Sequence, residues 1–80
     1  MPKPKKLSGG DVEKIFLSFG FTTTGQRGSH VKMVRTVSSQ KQVLVISNNK
    51  ELKTGAVVGN FKQALAYIPE NELRPFFYTK

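Results

Sequence analysis

His30 is the only histidine in the chain, and it follows Gly28 and Ser29 where a basic turn gives way to a strand. The chain has no cysteine, and 13 Lys and Arg outweigh 5 Asp and Glu for a net charge of +8. Imidazole is the side chain that gains and loses a proton near neutral pH without help from its surroundings. If so basic a chain does chemistry on an acidic polymer, His30 is the group able to move the proton. A protein that only binds such a polymer has no need of it.

Were that polymer RNA, it would bring its own nucleophile, the ribose 2′-hydroxyl. Metal-free cleavage needs that hydroxyl deprotonated, the charge of the crowded phosphorane stabilised, and ideally the departing 5′-oxygen protonated. His30 suits the general base, a role typically worth ~10²–10⁴-fold. Lys32, on the same strand face, and Arg27, in the preceding turn, are placed to neutralise developing phosphate charge. Gly28 and Ser29 add backbone N–H groups, and the glycine lets a phosphate come close. Lys50 and Lys53 stand near the start of a second helix, where the dipole also favours an anion. No second proton carrier stands out, so the acid role falls to water or a lysine and turnover is expected to be slow.

Other chemistries fit less well. Asp11 and Glu13 lie in the first helix, Glu51, Glu70 and Glu72 are scattered beyond it, and no carboxylate pair accompanies His30. No metal or other cofactor is therefore expected. A Ser29/His30 nucleophilic pair fails because adjacent strand residues point to opposite faces and no acid orients the imidazole. Singly, Lys32, Lys50 and Lys53 read as solvated charges or nonspecific phosphate contacts rather than catalytic groups.

The elements that must position these residues follow from periodicity. Ser8 with Asp11 three places on forms a capping box, and Val12, Ile15, Phe16 and Phe19 keep one helical face. Gly20 is the natural stop, so the first helix spans about 9–19. Phe21–Thr24 reads as a short strand and Gly25–Gly28 as a turn. From Ser29 to Val37 the pattern alternates, with Val31 and Met33 inward and His30 and Lys32 on the open face. The apolar run Val43–Ile46 is expected to be the central strand of an antiparallel meander. Thr54 is the expected cap of the second helix, whose stripe is Val57, Val58, Phe61 and Leu65 and whose end near Tyr67 is set by Pro69. Pro69–Leu73 could start one more short turn.

The expected class is therefore α+β, in the order α-β-β-β-α, with a three-stranded antiparallel sheet and two helices on one face. The expected division is a basic disordered arm at 1–6, a single domain at 7–74 and an aromatic tail at 75–80. Phe76, Phe77 and Tyr78 in that tail either pack back on the domain or meet a partner.

Charge and composition bound the partners. A net +8 is the usual footprint of phosphate binding, with anionic membranes and acidic proteins as competing explanations. No stretch has the length of a bilayer span, and the basic start leads into Leu7-Ser8-Gly9-Gly10 rather than a signal-type apolar run. Absence of cysteine excludes a disulfide framework, a thiolate nucleophile and a cysteine zinc site. The expectation is a soluble, cytoplasmic protein with no membrane partner.

Four ordered segments resemble the HicA family of bacterial toxins. They are Leu7-Ser8-Gly9 with Phe19-Gly20-Phe21, Arg27-Gly28-Ser29-His30, Asn49-Lys50-Glu51-Leu52-Lys53 before Gly55, and Phe61-Lys62-Gln63-Ala64. The resemblance implies a double-stranded-RNA-binding-like fold and an endoribonuclease that cleaves mRNA, with the histidine of the signature essential. It also implies a HicB-type antitoxin that binds the toxin and blocks the site. The frequent proline and second histidine after the third strand are missing, Thr54 stands where a proline is common, and Met33 replaces a frequent tyrosine. His30 then carries the acid–base role alone. Two other readings stand beside the ribonuclease: a non-catalytic double-stranded-RNA-binding module, and an interaction domain whose basic face docks an acidic protein. A homodimer and a hetero-oligomer with the antitoxin are both left open.

Overall fold

The first helix begins where Ser8 and Asp11 satisfy each other's backbone. The Asp11 N–H donates to Ser8 Oγ and the Ser8 N–H to Asp11 Oδ2, both at 3.0 Å, which closes the capping box. This computed structural model describes residues 2–79. The elements are α1 (Gly9–Ser18), β1 (Thr22–Arg27), β2 (His30–Val37), β3 (Gln40–Ser47), α2 (Thr54–Ala64) and α3 (Glu70–Phe77). The strands form one antiparallel sheet in the order β1-β2-β3. The α-β-β-β-α order is as expected, with a third helix added.

One face of the sheet is covered. Val31, Met33, Leu44 and Ile46 point beneath α1 and α2 and share a core with Val12, Phe16, Val57 and Phe61. Each such side chain stabilises the fold by ~1.5–3 kcal/mol. His30 and Lys32, one step out of phase, remain exposed on the other face.

Four expectations are corrected. The central strand is β2, and the apolar β3 is an edge. That edge is tolerable because α2 covers it: the Val45 N–H donates to Gln63 Oε1 at 2.9 Å, and Gln63 Nε2 donates to the Val45 carbonyl at 3.1 Å. The first strand runs to Arg27, so only Gly28 and Ser29 remain as the turn. At the start of α2 the cap is Lys53 and Thr54 is already helical. That helix also closes at Ala64, after which the Tyr67 N–H reaches the Ala64 carbonyl in a tighter turn.

The described residues of the arm and the tail pair with each other. Phe77 is fully buried, with its ring 5.7 Å from Phe16 and 5.6 Å from Phe61. Burial of these rings draws the aromatic segment inward as α3. The arm then pairs with it: the Lys5 N–H donates to the Phe77 carbonyl and the Thr79 N–H to the Lys3 carbonyl, both at 2.8 Å. Of the expected arm and tail, Met1 and Lys80 lie outside the described residues. Phe76, by contrast, is 42% exposed and meets Phe19 edge-on at 5.4 Å.

Arg35 is the basic residue that the covered face retains. Its guanidinium donates to Gln42 Oε1 at 2.8 Å, the Phe19 carbonyl at 2.8 Å and the Tyr67 carbonyl at 3.2 Å. It also lies 4.7 Å from the centre of the Phe21 ring. These contacts tie α1, β2, β3 and the segment after α2 together. Arg35 is a structural residue.

Candidate functional site

Gly28 turns the chain back on itself with φ +60°, a conformation that glycine adopts freely. A two-residue loop leaves no freedom of register, so Arg27 and His30 become a direct cross-strand pair. On its other side His30 pairs with Ser47 of β3. The next row of the same face is Gly25, Lys32 and Val45. Opposed residues share a sheet face at Cβ separations of about 4.5–5.5 Å. Arg27, His30 and Lys32 are all exposed there.

A β-bulge makes this possible. Thr23 pairs with Met33, a core residue, so Thr23 belongs to the covered face, where its hydroxyl donates to Glu13 of α1. Simple alternation would put Arg27, four residues on, on that same face. The register shifts between Thr23 and Gly25, and the extra residue, Thr24, reverses the alternation. Arg27 then emerges beside His30. A glycine inside a strand, Gly25, is the sequence signal for such a bulge. Reading 25–28 as a turn concealed it.

The resulting hollow, of about 240 Å³, is lined by Gly25, Gln26, Arg27, His30, Lys32 and Val45. It is open, and its lining joins the apolar Val45 to the basic Arg27 and Lys32. Neither Arg27 nor Lys32 has a carboxylate partner among the described ion pairs, so both cations are open to an anion. Gly28 and Ser29 form the tip of the hairpin, and there Gln26 Nε2 donates to the Gly28 carbonyl at 3.1 Å. The Ser29 carbonyl accepts the Asn48 N–H at 2.8 Å, which carries the pairing past Ser47.

Lys50 and Lys53 are not brought to this hollow. They line a separate one with Lys6 and Ser8, between the start of α1 and the connection from β3 to α2. Ser47 and Val45 have no signal in the sequence, because only strand register sets Ser47 opposite His30 and Val45 opposite Lys32. Among the described residues, no group of three or more His, Asp and Glu side chains could hold a metal ion. No helix is long and apolar enough to cross a membrane.

No curated protein and no solved structure matches the chain. A family model described as the HicA toxin of bacterial toxin–antitoxin matches residues 9–65, from the first residue of α1 to just past α2. That span contains the bulge, the hairpin, His30 and both hollow-lining lysines of the connection. The chain belongs to the HicA toxin family, the toxin half of a bacterial toxin–antitoxin pair whose other half is an antitoxin.

Proposed function

We propose that this toxin is a metal-independent endoribonuclease that cleaves mRNA, with His30 as its acid–base group. The observation that carries the reading is the Arg27–His30 pair on the exposed sheet face. A proton acceptor and a permanent cation stand side by side where a polymer backbone has free approach. In the proposed step His30 takes the proton of a ribose 2′-hydroxyl, and that oxygen attacks the adjacent phosphorus. The bond from phosphorus to O2′ forms as the bond to O5′ breaks, leaving a 2′,3′-cyclic phosphate and a 5′-hydroxyl. Arg27 and Lys32 stabilise the charge that builds on the non-bridging oxygens. The 5′-oxygen takes its proton from water.

Slow turnover follows from the setting. The hollow is open, so its cations act in a higher dielectric than a closed site would give them. A HicB-type antitoxin fits the reading as an inhibitor that covers this face and so occupies the place of the RNA. The test is a pair of oligonucleotides differing only in the 2′-hydroxyl. Ribose RNA should be cut in the presence of EDTA, and its 2′-deoxy counterpart should not. Cleavage of the deoxy strand would exclude the 2′-hydroxyl as nucleophile. Binding of RNA without any cleavage would leave a double-stranded-RNA-binding module.

A further inference from the structure

A second hollow, of about 550 Å³, lies apart from the one beside His30. Its walls are the arm at Lys6–Ser8 and the connection at 50–54, and its cations are Lys6, Lys50 and Lys53. Both walls are fixed by backbone. The Leu52 N–H donates to the Leu7 carbonyl at 3.1 Å, and the Gly9 N–H to the Asn49 carbonyl at 2.8 Å. Further back, the arm is held by the pairing of Lys3 and Lys5 with Thr79 and Phe77. Lys6 therefore stands across from Lys50 and Lys53 because its two neighbours, Lys5 and Leu7, are held by backbone hydrogen bonds. Two carboxylates, Asp11 and Glu51, share the hollow, the first held by the Ser8 N–H, and the three lysines leave one positive charge in excess.

The two hollows adjoin one stretch of chain. Ser47 pairs with His30, Asn48 bonds to Ser29 at the hairpin tip, and Asn49 bonds to Gly9 at the rim of the larger hollow. Two residues separate Ser47 from Lys50, three Cα–Cα steps that the chain can spread over no more than about 11 Å. The backbone thus holds Lys50 close to Ser47, the cross-strand partner of His30.

We infer that the Lys6–Lys50–Lys53 hollow holds a second backbone phosphate region of the same RNA strand, a few nucleotides from the scissile bond. The inference rests on the RNA-cleaving reading given above. It makes substrate length a determinant of activity: a dinucleotide fills only the His30 hollow, and a longer strand engages both. The arm and the C-terminal segment, which lie outside the family match, then contribute to substrate binding through Lys6.

The test is the triple variant Lys6→Gln, Lys50→Gln, Lys53→Gln in the full chain, against RNA of about 12 nucleotides and a dinucleotide. The loss in kcat/KM on the longer strand should exceed that on the dinucleotide by about tenfold or more. In the His30→Ala background, the log–log dependence of RNA affinity on salt should flatten by about 2, since each single-strand phosphate contact carries about 0.7. An equal loss on both lengths, or an unchanged slope, would overturn the inference and leave the lysines as solvated charges. Thermal protection by inorganic phosphate as strong as that by the longer RNA would also overturn it, in favour of a free anion. If no RNA is cut yet the slope still falls, this hollow stands as an RNA site and only the cleavage reading fails.

Discussion

Arg27 and His30 oppose each other across the first hairpin with only Gly28 and Ser29 between them. The pairing joins two local features of the chain. A two-residue turn fixes which residues meet, and the bulge at Thr24 decides which face they meet on. Arg35 is the contrasting arginine, its hydrogen bonds spent on Phe19, Gln42 and Tyr67. Of these two arginines one is free for an anion and the other is not.

Arg27→Ala should therefore lower kcat by roughly ten- to hundredfold, less than the ~10²–10³-fold for losing one charge-stabilising donor in an enclosed site. Arg27→Lys should recover part of the loss, because a point charge stabilises phosphate without bidentate geometry. Both variants should melt within a degree or two of the parent protein. Equal activity of Arg27→Ala and the parent would remove this residue from the reaction. Single-turnover cleavage of a labelled RNA makes the measurement.

Gly9 and Gly10 are neighbours in sequence with opposite tolerance. A Cβ on Gly9 would overlap the Ser47 carbonyl oxygen and Asn48 Cα, whereas one on Gly10 meets nothing closer than Ser8 Oγ at 3.7 Å. Gly9→Ala should destabilise the protein by about 1–3 kcal/mol, the range for forced backbone shifts. It should also impair cleavage, because the segment it displaces pairs with His30. Gly10→Ala should gain ~0.4–1 kcal/mol by stiffening the unfolded chain. Thermal melts of the two variants check this directly.

Much of the fold is legible in the residues. The Ser8–Asp11 box, the Val12/Phe16 stripe and the inward Val31/Met33 pair stand where periodicity puts them, because each depends on neighbours within a turn or two. The exposed position of His30 and Lys32 follows from the same alternation. What was hidden is non-local. The edge position of β3 depends on Gln63, 18 residues from Val45, and the burial of Phe77 depends on Phe16 and Phe61. In the candidate site, the bulge exchanged a turn for a strand and so turned Arg27 from a loop residue into the partner of His30. The charge of Lys50 and Lys53 and their place before the second helix group them with the histidine, whereas the backbone sets them in a hollow of their own.

The turn between β2 and β3 offers a stability test remote from the site. Ser38 and Ser39 both have positive φ, +50° and +66°, which serine adopts at a steric penalty. Asn followed by Gly is the pair this geometry favours. The double substitution Ser38→Asn, Ser39→Gly should stabilise the domain by about 1 kcal/mol, raising the melting midpoint by about 4–8 °C. Cleavage should not change, since this turn is at the opposite end of β2 from His30. A lowered midpoint would contradict the turn geometry.

The capping box gives a pH dependence of known sign. The Ser8 backbone N–H first, and its hydroxyl second, hold the Asp11 carboxyl below its ordinary value of 3.8. A carboxylate with a lowered folded-state value stabilises the fold above the ordinary value and loses that contribution as pH falls through the lowered one. Asp11→Ala should thus melt lower than the parent near neutral pH, and the gap should close below pH 3.8. A gap independent of pH would assign the effect to helix propensity alone.

The decisive measurement is RNA cleavage by His30→Ala in EDTA, with RNA affinity and the melting midpoint followed in parallel. His30 is exposed and outside the core, so the variant should fold and bind as the parent does. Its cleavage rate should fall by ~10²–10⁴-fold, the contribution of a general base. Cleavage at the parent rate by a folded His30→Ala protein would contradict the proposal that His30 moves the proton.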